Sequence, residues 1–294
     1  MPVQVMGEVL TIRRVGDYHA MTVVAPGIAD GAKPGHFIAV GIGGADSSMV
    51  LRRAFALVEA QDRGVYGGTV EFVFAVRGRG TAWLAERRPH DALDVVGPLG
   101  RPFQLPKDPV HAVLVGGGYG AAPLLALAEQ LRQRGCRVDA VLGASTGERL
   151  FGALEARRMT TAMAITTDDG SVGEQGRVTD VLPDMIERGA DVVYACGPMP
   201  MLQAVAEMAA VYGIPAQVAV EETMACGIGV CMTCVLPVRG KDGVTRMVRS
   251  CVEGPVFHAD QVRFDAIGTV PADALGAPAI SPVASPVLGP AARP

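Results

Sequence analysis

Four of the six cysteines in this sequence fall within one short segment. Cys226, Cys231 and Cys234 stand at C-x4-C-x2-C spacing, and Cys251 follows after a short polar insert. This is the plant-type spacing for a [2Fe–2S] cluster, whose fourth thiolate arrives later in the chain. Two irons bridged by two sulfides need four thiolates on one side of a folded loop. Gly227 and Gly229 let the backbone curl so that amides can face the sulfurs. A structural zinc also takes four thiolates, usually as two C-x2-C pairs, and here only Cys231 and Cys234 form such a pair. Zinc stays as the competing reading. Disulfides are not expected, because Met1-Pro2-Val3-Gln4 shows neither the basic run nor the long apolar core of a signal peptide.

A second group of residues could hold nucleotides. The run Gly116 to Gly120 follows an apolar segment and precedes a helical one, so Gly117, Gly118 and Gly120 are candidates for a phosphate-binding turn. The run is not a full G-x-G-x-x-G, and a tight strand–helix turn is the competing reading, but a pyrophosphate site is the better one because a second such loop follows in the same domain. Cys196, Gly197 and Pro198 form a second loop of the same kind, after the apolar Val192-Val193-Tyr194. Cys196 could approach a nicotinamide or be a small buried side chain. Asp168, in Thr166-Thr167-Asp168-Asp169-Gly170-Ser171, could reach a ribose or belong to an Asp-Gly turn. Arg52 and Arg53 beside Phe55 offer an arginine fork for a pyrophosphate and an aromatic for a flat ring. Gly80 and Thr81, opening a short helix, offer another anion site. The five histidines are scattered without metal-ligand spacing, and Cys136 is given no role.

The elements that must position these groups change character along the chain. Val5 to Arg13, Tyr18 to Val24, Phe37 to Val40 and Val70 to Val76 read as short strands separated by turn signals, which predicts an antiparallel β-barrel over residues 1–105. From 106 to 216 short apolar strands alternate with helical runs, the pattern of a doubly wound α/β domain. Its strands are expected at His111 to Val115, Arg137 to Leu142, Met163 to Thr167 and Val192 to Ala195, with Gln217 to Val220 as the last. The cysteine module follows over 217–268. Residues 269–294 are rich in Ala, Pro, Gly and Ser and are expected to be a disordered tail. The balance of 26 basic against 30 acidic residues argues against a nucleic-acid binder, and no apolar run approaches a membrane span. A soluble cytoplasmic protein is the expectation.

Taken together these stretches resemble the electron-transfer subunits of type B dihydroorotate dehydrogenase, within the ferredoxin reductase-like flavoproteins. The resemblance is carried by Leu51-Arg52-Arg53-Ala54-Phe55-Ala56, Gly78-Arg79-Gly80-Thr81, Gly97-Pro98-Leu99-Gly100 and the Gly116 to Leu124 segment. It continues through Asp168 to Ser171, Ala195 to Pro198, Met224 to Cys231 and Gly254-Pro255-Val256-Phe257. It implies FAD on the barrel, NAD in the α/β domain and a [2Fe–2S] cluster held by Cys226, Cys231, Cys234 and Cys251. Arg53, Ala54, Phe55 and Ala56 would lie along the FAD, with Arg53 at its phosphates. Val73, Phe74 and Ala75 would border the flavin through backbone groups, and Gly80 with Thr81 would hold the pyrophosphate. Two positions depart from the family pattern. Ala54 stands where proline is usual, and Ala56 where a serine or threonine hydroxyl could reach the flavin.

The implied partner is an FMN-containing dihydroorotate dehydrogenase catalytic subunit, in a heterotetramer serving pyrimidine biosynthesis. A related subunit of a hydrogenase, a sulfide dehydrogenase or a ferredoxin-linked transhydrogenase is the nearest alternative, and a zinc-binding or redox-sensing regulator a more distant one. No catalytic acid or base is expected. NAD is expected over NADP, because Leu142 to Glu148 carries no positive charge and Glu148 would repel a 2′-phosphate.

Overall fold

The computed structural model describes residues 1–44, 47–61, 64 and 67–277. The first strands are β1 (Val3–Val15), β2 (Tyr18–Val24), β3 (Phe37–Val40), β4 (Arg53–Gln61), β5 (Thr69–Phe74) and β6 (Ala92–Leu99). A short helix α1 (Pro26–Ala29) follows β2, and α2 (Arg79–Ala85) follows β5. The six strands close into a barrel in the order β1-β2-β5-β4-β3-β6. Closure leaves no free edge, and side chains such as Val9, Met21, Ile38, Phe72, Phe74 and Val95 fill the interior. Phe55 stacks on Phe72 with ring centroids 4.9 Å apart. Strands β4 and β6 are additional to the expected ones, because β4 opens on Arg53 and carries Glu59 and β6 is broken by Asp94 and Gly97.

The α/β domain comprises β7 (His111–Gly117), α3 (Ala122–Gln133), β8 (Arg137–Ala144), α4 (Ala153–Met159), β9 (Ala162–Thr167) and β10 (Glu174–Gln175). It goes on with α5 (Val178–Ile186), β11 (Val192–Cys196), α6 (Met199–Val211) and β12 (Ala216–Ala219). The chain then leaves the sheet for the cysteine loop and a hairpin, β13 (Val235–Arg239) with β14 (Thr245–Arg249), and returns as β15 (Val256–His258). The sheet order is β10-β9-β8-β7-β11-β12-β15, parallel except that β15 runs antiparallel to β12. The order reverses between β7 and β11, so their carboxyl ends open a crevice where ligands bind in sheets of this type. Both candidate nucleotide loops leave the sheet at that crevice.

Two findings refine the sequence-based boundaries. The cysteine module is an excursion between β12 and β15, both strands of the α/β sheet. The described part of the expected tail, residues 269–277, is packed. The Leu275 amide donates to the Thr245 carbonyl at 2.8 Å, the Thr245 hydroxyl to Asp273 at 3.0 Å, and Arg263 pairs with Asp273 at 2.9 Å. Residues 278–294 of that tail lie outside the described residues.

Several bonds tie barrel and sheet, among them the Arg101 amide donating to the Gly254 carbonyl at 2.6 Å. The β1–β2 turn meets the loop after β8, where the Asp17 amide donates to the Glu148 carbonyl and the Tyr18 hydroxyl to the Arg149 carbonyl. Behind the crevice, the Gln104 amide donates to the Gln217 side chain at 2.8 Å, and the Gln104 carbonyl accepts from Gln217 and Tyr194. These bonds hold the two walls of one cavity in register.

Candidate functional site

A cavity of about 830 Å³ lies between barrel and sheet. Its barrel wall is Arg53, Ala54, Phe55 and Ala56 from β4, Val73, Phe74 and Ala75 at the end of β5, and Thr81. Its sheet wall is Gly117, Gly118 and Gly120, then Cys196, Gly197 and Pro198, with Asp168 at the end of β9. Gly80 stands behind the wall. A side chain there would come within 3.2 Å of the Arg53 guanidinium, so the bare backbone makes room for that arginine. The Thr81 hydroxyl accepts from the amides of Arg77, at 2.8 Å, and Gly78, at 3.2 Å, which fixes the loop into α2.

The expected arginine fork is split. Arg52 turns away to an ion pair with Asp94 and a bond to the Asp94 carbonyl. Arg53 alone faces the cavity, steadied by a 2.7 Å bond from its guanidinium to the Leu51 carbonyl. It fits a phosphate, and among the described residues of the barrel wall Arg77 is the other source of positive charge. Arg53→Ala is therefore expected to weaken FAD binding by roughly 10- to 150-fold, the worth of a charge-assisted hydrogen bond of about 1.5–3 kcal/mol. Flavin retained per chain after dialysis measures this, and wild-type retention would contradict it.

On the sheet side the two loops touch backbone to backbone. A Cβ on Gly120 would lie 2.7 Å from both the Cys196 carbonyl oxygen and the Gly197 Cα. One on Gly117 would lie 2.9 Å from Pro198 Cδ. Gly118 has φ +56, in the left-handed region. The Cys196 thiol is pushed up to about 12, first by burial and then by the Glu221 carboxylate, so it stays neutral. Of the paired acids, Asp168 lines the cavity, whereas Asp169 binds the Ser171 amide and hydroxyl and makes the turn. Glu148 is exposed, gives its carbonyl to the barrel and is not on the wall, which instead carries Arg149 and Arg177. The Thr166 hydroxyl, buried on the wall, has no hydrogen-bond partner among the described residues. An orphaned donor beside a glycine cradle fits a polar ligand such as a dinucleotide.

Several wall residues escaped the sequence reading. Tyr119 lies inside the glycine run, where attention falls on the glycines. Its hydroxyl donates to Glu221 at 2.8 Å, and burial with that carboxylate raises its pKa. Glu222, raised by burial, and Met224 also line the cavity just before the cysteine loop. Their apolar-acidic mixture gives no periodic signal.

The four cysteines fall into two pairs. On the outer side the Cys231 amide donates to Cys226 Sγ at 3.5 Å, and Cys226 Sγ also accepts from the Val230 amide at 3.3 Å. Cys234 and Cys251, each 2% exposed, are free thiols hydrogen-bonded to each other inside. Hydrogen bonds from Thr233 and then Cys226 bring the Cys231 thiol down to about 6, and burial pushes Cys251 up to about 12. Gly227 at φ +71 and Gly229 at φ +86 supply the curl between them. Among the described residues no three His, Cys, Asp or Glu side chains gather around one ion. Two thiolate pairs fit two irons with two thiolates each. Arg249 steadies the loop, donating to the Gly229 carbonyl at 2.8 Å while paired with Glu253 at 3.0 Å.

The inner pair packs against Phe37, Ala39 and Leu99 of the barrel and against Met224. Phe37 and Met224 also line the cavity. Thiolates and cavity are thus separated by one layer of side chains.

This fold and site define a ferredoxin reductase-like flavoprotein with an iron–sulfur module inserted at the edge of its sheet. Residues 221–263 match the iron–sulfur cluster binding domain of dihydroorotate dehydrogenase B, and residues 114–207 match the oxidoreductase NAD-binding domain. The dihydroorotate dehydrogenase B (NAD(+)) electron transfer subunit of Bacillus caldolyticus is 40% identical over 232 residues, covering 78% of this chain and 86% of that one. That of Geobacillus thermodenitrificans is 39% identical over 246 residues, covering 83% and 92%. The chain belongs to the family of dihydroorotate dehydrogenase B electron transfer subunits. Among solved structures, one described as an NADH-dependent reduced ferredoxin-NADP oxidoreductase aligns with TM-score 0.76 and 28% identity, covering 89% of this chain and 91% of that chain. A ferredoxin NADP+ reductase from Neisseria gonorrhoeae shares the fold, with TM-score 0.58 and 18% identity over 71% and 92% of the two chains.

Proposed function

We propose that this chain carries electrons between an FMN-containing dihydroorotate dehydrogenase catalytic subunit and NAD+, as an electron transfer subunit in pyrimidine biosynthesis. The observation that carries the reading is the placement of the inner thiolate pair against Phe37 and Met224, which also wall the cavity. When bound, a [2Fe–2S] cluster supplies one-electron relay, and FAD supplies the exchange between single electrons and a hydride that nicotinamide requires. Cys226, Cys231, Cys234 and Cys251 would hold the cluster. Arg53 would hold the FAD phosphates, with Ala54, Phe55, Ala56, Val73, Phe74 and Ala75 along its ring system. Gly117, Gly118, Gly120, Asp168, Cys196, Gly197 and Pro198 would receive NAD. None of these residues need transfer a proton, in keeping with the neutral Cys196 thiol.

Ile228, Val230 and Met232, 53%, 75% and 52% exposed, ring the outer thiolate pair. They suit burial against the catalytic subunit in a heterotetramer. Met224, by contrast, packs inward on Phe37. Among the described residues no helix is long and apolar enough to cross a membrane. Free thiols in such a loop suit a reducing compartment, which supports a cytoplasmic location. The likeness to the NADH-dependent reduced ferredoxin-NADP oxidoreductase supports a second reading, a ferredoxin-linked transhydrogenase subunit.

The composition of the purified chain tests the cofactor assignment. The expected result is two irons, two acid-labile sulfides and one FAD per chain, as the two thiolate pairs and the Arg53 cavity require. A colourless protein holding zinc and no flavin would instead support a regulator.

A further inference from the structure

Arg249 closes β14 beside the cysteine loop, and its guanidinium reaches two partners at once. One nitrogen donates to Glu253 at 3.0 Å, and the Arg249 amide donates to the other oxygen of the same carboxylate at 3.1 Å. The second guanidinium nitrogen donates to the Gly229 carbonyl at 2.8 Å. A planar guanidinium holds its donors in a fixed fork, so the Glu253 pair sets where the other arm points. Gly229 lies in the left-handed region at φ +86, and a side chain there would collide with Val252 and come within 3.5 Å of the guanidinium. The bare backbone lets the loop come down onto the arginine. The peptide group that receives this bond runs from the Gly229 carbonyl to the Val230 amide. That amide donates to Cys226 Sγ at 3.3 Å. Arg249, one peptide group and Cys226 therefore form a continuous line of hydrogen bonds, anchored at its far end by Glu253.

We propose that Arg249 is a positioning residue for the Cys226 thiolate, acting through the Gly229–Val230 peptide. The inference rests on the reading of Cys226 as a cluster ligand. Hydrogen bonds in a chain polarise one another, so a cation at the carbonyl end of a peptide makes the amide at its other end a stronger donor. The Val230 amide is thus both aimed at the sulfur and strengthened toward it. The same sulfur also accepts from the Cys231 amide, at 3.5 Å. The shorter of the two bonds is the one that Arg249 backs. Donors to a ligating sulfur favour the reduced, more negative state and raise its potential. Arg249 thus favours electron uptake on the side of the loop where Ile228, Val230 and Met232 are exposed, the side proposed to meet the catalytic subunit.

The test is redox titration of the intact chain followed by electron paramagnetic resonance, with iron, sulfide and flavin assayed in parallel. Arg249→Met keeps an unbranched apolar stem and removes the charge and the donor. It is expected to titrate at a lower potential, by up to about 59 mV, which is a tenfold change in a one-electron equilibrium. Arg249→Lys, which keeps the charge, should recover part of the difference. Resonance Raman bands of the iron–thiolate bonds should move less on transfer to D2O in Arg249→Met than in wild type, because the exchangeable Val230 amide bonds the sulfur more weakly. Should Arg249→Met not assemble, Arg249→Gln, neutral but still a donor, should also titrate below wild type. Full iron with wild-type potential and a wild-type deuterium shift in either neutral variant overturns the proposal. So does a partial loss of iron in which the remaining centres keep the wild-type potential, since that is the mark of a structural support alone. A lowered potential with an unchanged deuterium shift overturns the route through the peptide. A wild-type chain without iron and sulfide overturns the cluster reading, and the proposal with it.

Discussion

Replacing Cys231 by serine is expected to lower iron and acid-labile sulfide by roughly tenfold or more, because an alkoxide or hydroxyl oxygen is a harder, poorer ligand for this iron than a thiolate. FAD should remain bound. Cys231 is exposed on the outer thiolate pair and takes no part in the cavity wall, whereas the inner pair and Phe37 lie between it and the cavity. The visible spectrum should therefore lose its iron–sulfur absorption and keep its flavin bands. Cys136→Ser makes the comparison sharp. That cysteine is buried among Leu131, Val138 and Tyr194 on the far side of the sheet, and its loss should leave iron untouched. Equal iron and sulfide in Cys231→Ser and wild type would remove Cys231 from the ligand set.

Gly120→Val should act on the other half of the site. Its side chain would meet the backbone of Cys196 and Gly197 at 2.7 Å, and neither contact is the flexible end of a side chain. The two loops at the carboxyl ends of β7 and β11 must move apart. Overpacking of this kind costs about 1–3 kcal/mol, which at the nucleotide site corresponds to roughly 5- to 150-fold weaker NADH binding. Flavin and iron contents should be unchanged, since Arg53 and the cysteines lie on other elements. Steady-state NADH oxidation with an artificial acceptor reads the loss as a rise in KM. An unaltered KM would show that NADH does not use this crevice.

Much of this site is legible in the sequence because backbone-controlled chemistry leaves local marks. The C-x4-C-x2-C spacing and the glycines between the thiolates anticipate a curled loop, which the structure has at Gly227 and Gly229. The Gly116 to Gly120 and Cys196 to Pro198 loops each follow an apolar strand, so their common crevice follows from doubly wound topology. What the sequence does not mark is direction. Arg52 and Arg53 look alike, yet Arg52 lies just before β4, where Asp94 on β6 claims it, and Arg53 opens the strand. Glu148 falls in the expected nucleotide loop, but the β1–β2 turn from a distant part of the chain covers that stretch and takes its carbonyl. Strand β15 is only three residues long and is defined by its partner β12 rather than by any pattern of its own.

The most direct test of electron transfer to a partner is reconstitution. The purified chain is mixed with an FMN-containing dihydroorotate dehydrogenase catalytic chain, and NAD+ reduction by dihydroorotate is followed at the nicotinamide absorption. Alone, the chain should oxidise NADH with an artificial acceptor through its cavity and show no activity toward dihydroorotate. Together the two should copurify and form NADH from dihydroorotate. Dihydroorotate-dependent NADH formation by this chain alone would contradict the subunit role. So would a mixture that neither associates nor forms NADH, while the same chain binds tightly to a ferredoxin-linked transhydrogenase partner.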